Sequence, residues 1–344
     1  MNNNTEEIFF LNYLKGVSIV AIILYHLIYN FLNVPNLIKM GSSFGGAGVH
    51  IFFFCSGFGL YLSYLKKGFN IKTYTCKRLK RLYIPYIIII FISFLVPFMF
   101  EGQNRIVALC SHIFLFKMFI PEYEDSFGIQ MWYISTIIQF YFIYTILLKI
   151  VNKIKIKKLF ILSVLISIIW AIFISFSGLY TERIWSSFFL QYLWEFVLGM
   201  LIAEASYKNN KFLKKDINFV WYIIMFIISF GVFALMSIKG GILKNFNDVF
   251  SALSFMTLCI ILYKLKFFNK LFNYFGKISY ELYLVHYLVY MCVFQLIKLP
   301  LYINAIIAIV LSIIVSIFYN YAIKKLWDLL EKNCRRKSIE NNNI

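Results

Sequence analysis

The chain has 344 residues, 61% hydrophobic and only 14% charged, far below the roughly 25% charged of soluble domains, which excludes an ordinary soluble enzyme. A formal net charge of +19 would suggest nucleic acid in a soluble protein, but here the basic residues sit in short loops between apolar runs, where they set membrane orientation. Six scattered cysteines, Cys55, Cys76, Cys110, Cys259, Cys292 and Cys334, form no Cys-x-x-Cys pair and no Cys/His cluster at ligand spacing, so neither a disulfide framework nor a metal site is expected.

The first seven residues are polar and carry two acids. The apolar run behind them continues past His26 without a small-residue cleavage site, so the first span is expected to be retained. Apolar runs broken by charge or turn signals predict spans near 8–30, 45–65, 82–100, 131–149, 159–178, 187–205, 219–237, 247–263, 278–297 and 302–323. The segment from Ile106 to Ile120 is apolar but short and reads as re-entrant or interfacial.

This count places 26 Lys/Arg on the inner side: seven over 66–81, five over 149–158, four over 206–218, four over 264–277 and six from Lys324 onward. Seven lie outside: Lys39, Arg105, Lys117, Arg183, Lys239, Lys244 and Lys298. Such a bias predicts an all-α integral membrane protein, a bundle of about ten transmembrane helices with both termini cytoplasmic. Residues 1–330 read as one membrane domain and 331–344 as a short basic and Asn-rich tail without fixed structure.

Ionisable groups inside a bilayer cost on the order of 2.5–3.5 kcal/mol each at mid-helix, so each is a functional suspect. Lys15 and His26 are eleven residues apart, about 20° in azimuth and roughly 16 Å along a helix. Either they wall a polar path, or Lys15 snorkels to the inner headgroups and His26 bonds a neighbouring helix. His50, in Gly48-Val49-His50-Ile51-Phe52-Phe53-Phe54-Cys55-Ser56-Gly57, lies at a depth comparable with His26, which would allow the two imidazoles to meet; the Gly/Ser set suits helix packing.

The inner loop Lys77-Arg78-Leu79-Lys80-Arg81-Leu82-Tyr83-Ile84-Pro85 serves orientation, or clamps phosphates with the donor forks of its arginines. Glu195, mid-span, needs a pairing partner. His286, five residues beyond Glu281 in Ser279-Tyr280-Glu281-Leu282-Tyr283-Leu284-Val285-His286, lines a cavity or locks helices together, while His112 reads as structural.

In order along the chain, a cation with ten residues and a His in the first span, G-V-H-I-F-F-F-C-S-G-F, R-L-K-R-L-Y-I-P-Y, M-W-Y-I-S-T-I-I-Q-F-Y, W-E-F-V-L-G-M and I-S-Y-E-L-Y-L-V-H-Y resemble the acyltransferase-3 family of integral membrane acyltransferases. The resemblance runs from about Phe10 to about Tyr290 and departs where Lys15 replaces the usual Arg, His50 stands in place of an acid and Ile137-Ile138 in place of glutamates.

It implies transfer of an acyl group, most often acetyl, from cytoplasmic acyl-CoA to a hydroxyl of a cell-envelope glycan or lipid-linked precursor. His26 would be the general base, beside Lys15; Arg78, Arg81 and Lys77 would hold the CoA phosphates; His50, Glu195, Ser279, Tyr280 and His286 would line the cavity. Partners would be the glycan or glycolipid acceptor, the lipid bilayer and glycan-biosynthesis or export proteins, with no nucleic acid. Two other readings compete: a transporter or flippase for a lipid-linked or anionic glycan, in which Lys15 and His26 bind cargo or relay protons, and a structural subunit of a glycan-export complex.

Overall fold

The structure, a computed structural model, describes residues 3–209 and 218–342. Among them there is no strand, and fifteen α-helices follow one another: α1 (Asn3–Phe31), α2 (Asn36–Ser43), α3 (Gly48–Lys67), α4 (Ile71–Arg78), α5 (Ile84–Leu95), α6 (Arg105–Ile113), α7 (Trp132–Ile154), α8 (Ile156–Phe176), α9 (Arg183–Ser186), α10 (Leu193–Lys208), α11 (Phe219–Lys239), α12 (Leu243–Lys264), α13 (Asn269–Lys277), α14 (Ser279–Leu296) and α15 (Leu301–Asn342). Most of the basic loop expected over 206–218, and the last two residues of the expected tail, lie outside the described residues; α15 runs on past residue 330.

Among the described residues seven stretches are long and apolar enough to cross a membrane: Glu7–Phe31, Asn36–Lys67, Ile129–Ile154, Ile156–Phe176, Phe219–Lys239, Asn245–Lys264 and Leu301–Leu330. The other three apolar runs fold into shorter helices, α5 of 12 residues, α10 of 16 and α14 of 18. Pro97 explains the shortness of α5: a residue before proline is pushed out of the helical region, and Val96 sits at φ −93°, ψ 111°. The segment from Ile106 folds as α6, nine residues long, about 14 Å at helical rise and far short of a span.

Close packing at the centre depends on positions without a Cβ. A Cβ on Gly57 of α3 would lie 1.9 Å from the Phe196 carbonyl oxygen of α10, and one on Gly276 of α13 would lie 1.8 Å from the Asn12 carbonyl oxygen of α1. The helices therefore touch backbone to backbone, as small residues allow in membranes. Phe140 and Phe196 stack at 4.6 Å beside the first contact, Phe53 lies 5.4 Å from Phe140, and all three rings are fully buried. At the periphery α11 packs on α12, with only 6% of its apolar window buried.

Two local features shape the ends of α5. Pro85 cannot donate a backbone hydrogen bond, and ahead of it Leu79–Tyr83 forms a π-helical turn joining α4 to α5; such turns recur at functional sites. At the other end the Arg105 guanidinium donates to the carbonyls of Phe94 (2.6 Å), Pro97 (2.6 Å) and Phe100 (3.0 Å) and lies against the Phe94 and Phe127 rings. Arg105 thus satisfies carbonyls that the end of a helix leaves free.

Candidate active site

A cavity of 450 Å³ opens among α1, α3, α7, α13, α14, the last turn of α4 and the π-helical turn. Its wall carries four cations, Lys15, Arg78, Arg81 and Lys277, against one carboxylate, Glu281; Asn12, Ser56, Ser279 and four tyrosines, Tyr133, Tyr141, Tyr280 and Tyr283, complete its polar lining. A wider depression of 610 Å³ beside α4 is lined by Ile71, Leu79, Ile84 and Trp327 with two lysines, and holds no histidine or carboxylate.

Each cavity residue is placed by its neighbours. Arg78, at the last turn of α4, lies between the rings of Tyr74 (5.9 Å) and Tyr141 (5.3 Å), a cation–π arrangement that fixes the plane of its guanidinium. Its Nε is buried and has no hydrogen-bond partner among the described residues. Arg81 reaches the same wall from within the π turn. Lys77 is exposed and does not line the cavity; one position before Arg78 it points about 100° away around the helix. Tyr280 donates to the Leu82 carbonyl at 2.7 Å and Ser279 to the Gly276 carbonyl at 2.9 Å, so these hydroxyls tie α14 to the basic turn and to α13.

Beyond the cavity lies a histidine pair. Tyr283 lines the cavity, donates to the Gln130 carbonyl and has its ring 5.9 Å from that of His286. His286 Nδ1 lies 3.0 Å from the Leu282 carbonyl oxygen, and its Nε2 lies 2.8 Å from His26 Nδ1. A carbonyl only accepts, so His286 carries its proton on Nδ1. Its Nε2 must then accept, and His26 must donate from Nδ1. In the neutral pair this leaves the lone pair of His26 on Nε2, a fixed tautomer with one basic nitrogen. Tyr290, donating to the Ile23 carbonyl at 3.2 Å, braces α14 against α1 beside the pair.

The family model of an acyltransferase domain, Acyl_transf_3, matches residues 8–323. The chain belongs to the acyltransferase-3 family. No curated protein and no solved structure matches it. The match spans all the residues of the cavity and the histidine pair, and the protein is a multi-pass membrane acyltransferase.

His26 and His50 do not meet in this acyltransferase-3 protein. His26 takes His286 as its partner, whereas His50 turns to α10 and α12, with Nδ1 2.9 Å from Glu195 Oε1 and Nε2 2.8 Å from Ser251 Oγ. Glu195 thereby has the partner its burial demands. His112 is held between the Tyr86 hydroxyl (2.6 Å) and the Ser126 hydroxyl (2.8 Å) away from the cavity, in keeping with a structural role. Among the described residues no group of three His, Cys, Asp or Glu side chains could hold a metal ion.

Lys277, Tyr133 and Tyr141 were not singled out by sequence reasoning. Each had a signal: Lys277 its place beside Ser279 and Tyr280, and the two tyrosines their place within the M-W-Y-I-S-T-I-I-Q-F-Y segment.

Proposed function

We propose that this acyltransferase moves an acyl group, in the simplest case acetyl, from acyl-CoA to a hydroxyl of a cell-envelope glycan or lipid-linked precursor. The observation that carries this reading is the cavity lined by four cations, Lys15, Arg78, Arg81 and Lys277, against the single carboxylate of Glu281. CoA is rich in phosphates, and forked guanidinium donors suit phosphate oxygens. The charge bias of 26 inner against seven outer Lys/Arg supports ten spans with both termini cytoplasmic, the cavity mouth on the cytoplasmic face and the enzyme in the cell membrane.

The acyl-pantetheine arm would run from these cations along Lys15 toward Tyr133 and Tyr283, bringing the thioester near the histidine pair. His26 Nε2 would take the proton of the acceptor hydroxyl as its oxygen attacks the thioester carbonyl. The C–S bond breaks, and the leaving thiolate takes the proton back from His26, so the imidazole ends neutral. General base catalysis of this kind is typically worth about 10²–10⁴-fold.

Titration of the purified protein with a non-hydrolysable acetyl-CoA analogue tests the donor assignment. Saturable binding that weakens at least about tenfold in both Arg78→Ala and Arg81→Ala is expected. Equal binding in all three proteins, or none in the wild type, would refute it.

A further inference from the structure

His50, Glu195 and Ser251 come from three helices, α3, α10 and α12, and form one hydrogen-bonded line. Glu195 Oε1 is 2.9 Å from His50 Nδ1, and His50 Nε2 is 2.8 Å from Ser251 Oγ. An ionised carboxylate only accepts, so Nδ1 carries the proton. In neutral imidazole Nε2 is then the lone-pair nitrogen, and the Ser251 hydroxyl donates to it. The other acceptor within reach of that hydroxyl, the Asp248 carbonyl, is farther at 3.1 Å. Carboxylate, imidazole and hydroxyl thus stand in the order that activates a serine oxygen as a nucleophile.

The line is separate from the basic cavity, since none of its three residues lines that cavity. On α3, His50 and the cavity residue Ser56 are six positions apart, about 120° around the helix. Both His50 and Glu195 are the third residues of their helices, whereas the basic last turns hold Lys66 and Lys67 on α3, Lys208 on α10 and Lys264 on α12. The line therefore lies toward the opposite end of the bundle from the basic ends. Glu195, His50 and Ser251 are 2%, 8% and 5% exposed, so little water competes for the transferred proton, and the second Glu195 oxygen has no hydrogen-bond partner among the described residues.

We infer that Ser251 is an acyl-accepting nucleophile, with His50 as its proton acceptor and Glu195 as the carboxylate that positions His50. The substrate class is an acyl ester or thioester. Ser251 Oγ attacks the acyl carbonyl carbon while its proton passes to His50 Nε2. The bond from that carbon to the leaving oxygen or sulfur breaks, and the leaving group takes the proton from His50. A hydroxyl or water later attacks the Ser251 ester by the same route in reverse, restoring the serine. This step goes beyond the direct transfer proposed above, which needs no covalent intermediate.

The test uses the full chain in detergent with two isotopically labelled donors, acetyl-CoA and p-nitrophenyl acetate, quenched in acid and mapped by peptide mass, with CoA release followed in the same samples. The expected result is acetyl on Ser251. It should be absent in Ser251→Ala, reduced at least about tenfold in His50→Gln and Glu195→Gln, and present as a thioester in Ser251→Cys. Label from both donors would assign a relay fed by acyl-CoA; label from the nitrophenyl ester alone would assign a site supplied independently of the basic cavity. No acetyl at position 251 in either the wild type or Ser251→Cys, or labelling that ignores His50, would overturn the inference and leave a hydrogen-bonded lock between helices. Normal CoA release in those samples would leave the proposed transfer standing, so the two failures are distinguishable.

Discussion

Replacing His286 by leucine removes the one side-chain acceptor that the proton on His26 Nδ1 has among the described residues, a contact of 2.8 Å between residues that are 7% and 0% exposed. A buried donor left without a partner costs about 1–3 kcal/mol. His26 can escape that cost by carrying its proton on Nε2 instead, which removes the lone pair from the nitrogen assigned as base. Loss of the base corresponds to a fall in kcat of about 10²–10⁴-fold. The cations of the cavity are untouched, so KM for acyl-CoA should stay within about twofold. Glutamine at 286 offers an oxygen that can accept from His26, and His286→Gln should recover part of the lost kcat. The assay is release of free CoA thiol against acyl-CoA concentration with an accepted glycan, run on all three proteins. A leucine variant with unchanged kcat, or one whose loss lies wholly in KM, would refute the tautomer argument.

Arg78→Lys should raise KM for acyl-CoA by about tenfold with kcat nearly unchanged, because an ammonium supplies neither the forked donors nor the flat face held between Tyr74 and Tyr141; steady-state kinetics separate the two parameters. Arg105→Ala should lower the thermal midpoint in detergent without altering acyl-CoA affinity, since it frees the carbonyls of Ser93, Phe94, Val96, Pro97 and Phe100 at and just beyond the end of α5, and hydrogen bonds to a charged group are worth about 1.5–3 kcal/mol each. Burial lowers the Lys117 ammonium, in the connection before α7, to about 7, with Asp125 opposing and Arg183 adding to the shift. The unfolded chain then binds the proton more tightly than the folded one, so Lys117 should make stability rise with pH from about 7 to about 10. Melting curves across that range should lose part of the rise in Lys117→Met.

The membrane bundle was legible because a bilayer imposes its length on the sequence, and seven of the ten apolar runs fold as helices long enough to cross it. Lys15 and the paired arginines were legible as candidates because charge is costly at a lipid boundary. The partners of the histidines were not. His26 and His286 are 260 residues apart and His50 and Glu195 are 145 apart; which helices become neighbours depends on contacts such as Gly57 on Phe196, which hydropathy does not encode. Ser251 gave no signal at all, one serine in an apolar helix whose meaning depends on the imidazole opposite. The separation of Arg78 from Lys77 rests on side-chain direction at the junction of α4 with the π turn, beyond the reach of a count of basic residues.

The most direct test of acyl transfer from CoA by His26 above a basic cavity is release of free CoA thiol by the purified protein given acetyl-CoA and a panel of envelope glycans. Wild type, His26→Ala and Arg78→Ala would be compared. Acceptor-dependent release in the wild type is expected, with kcat lost in His26→Ala and KM raised in Arg78→Ala. A wild-type protein that neither binds nor consumes any acyl-CoA, or a His26→Ala variant that turns over as fast as wild type, would contradict it.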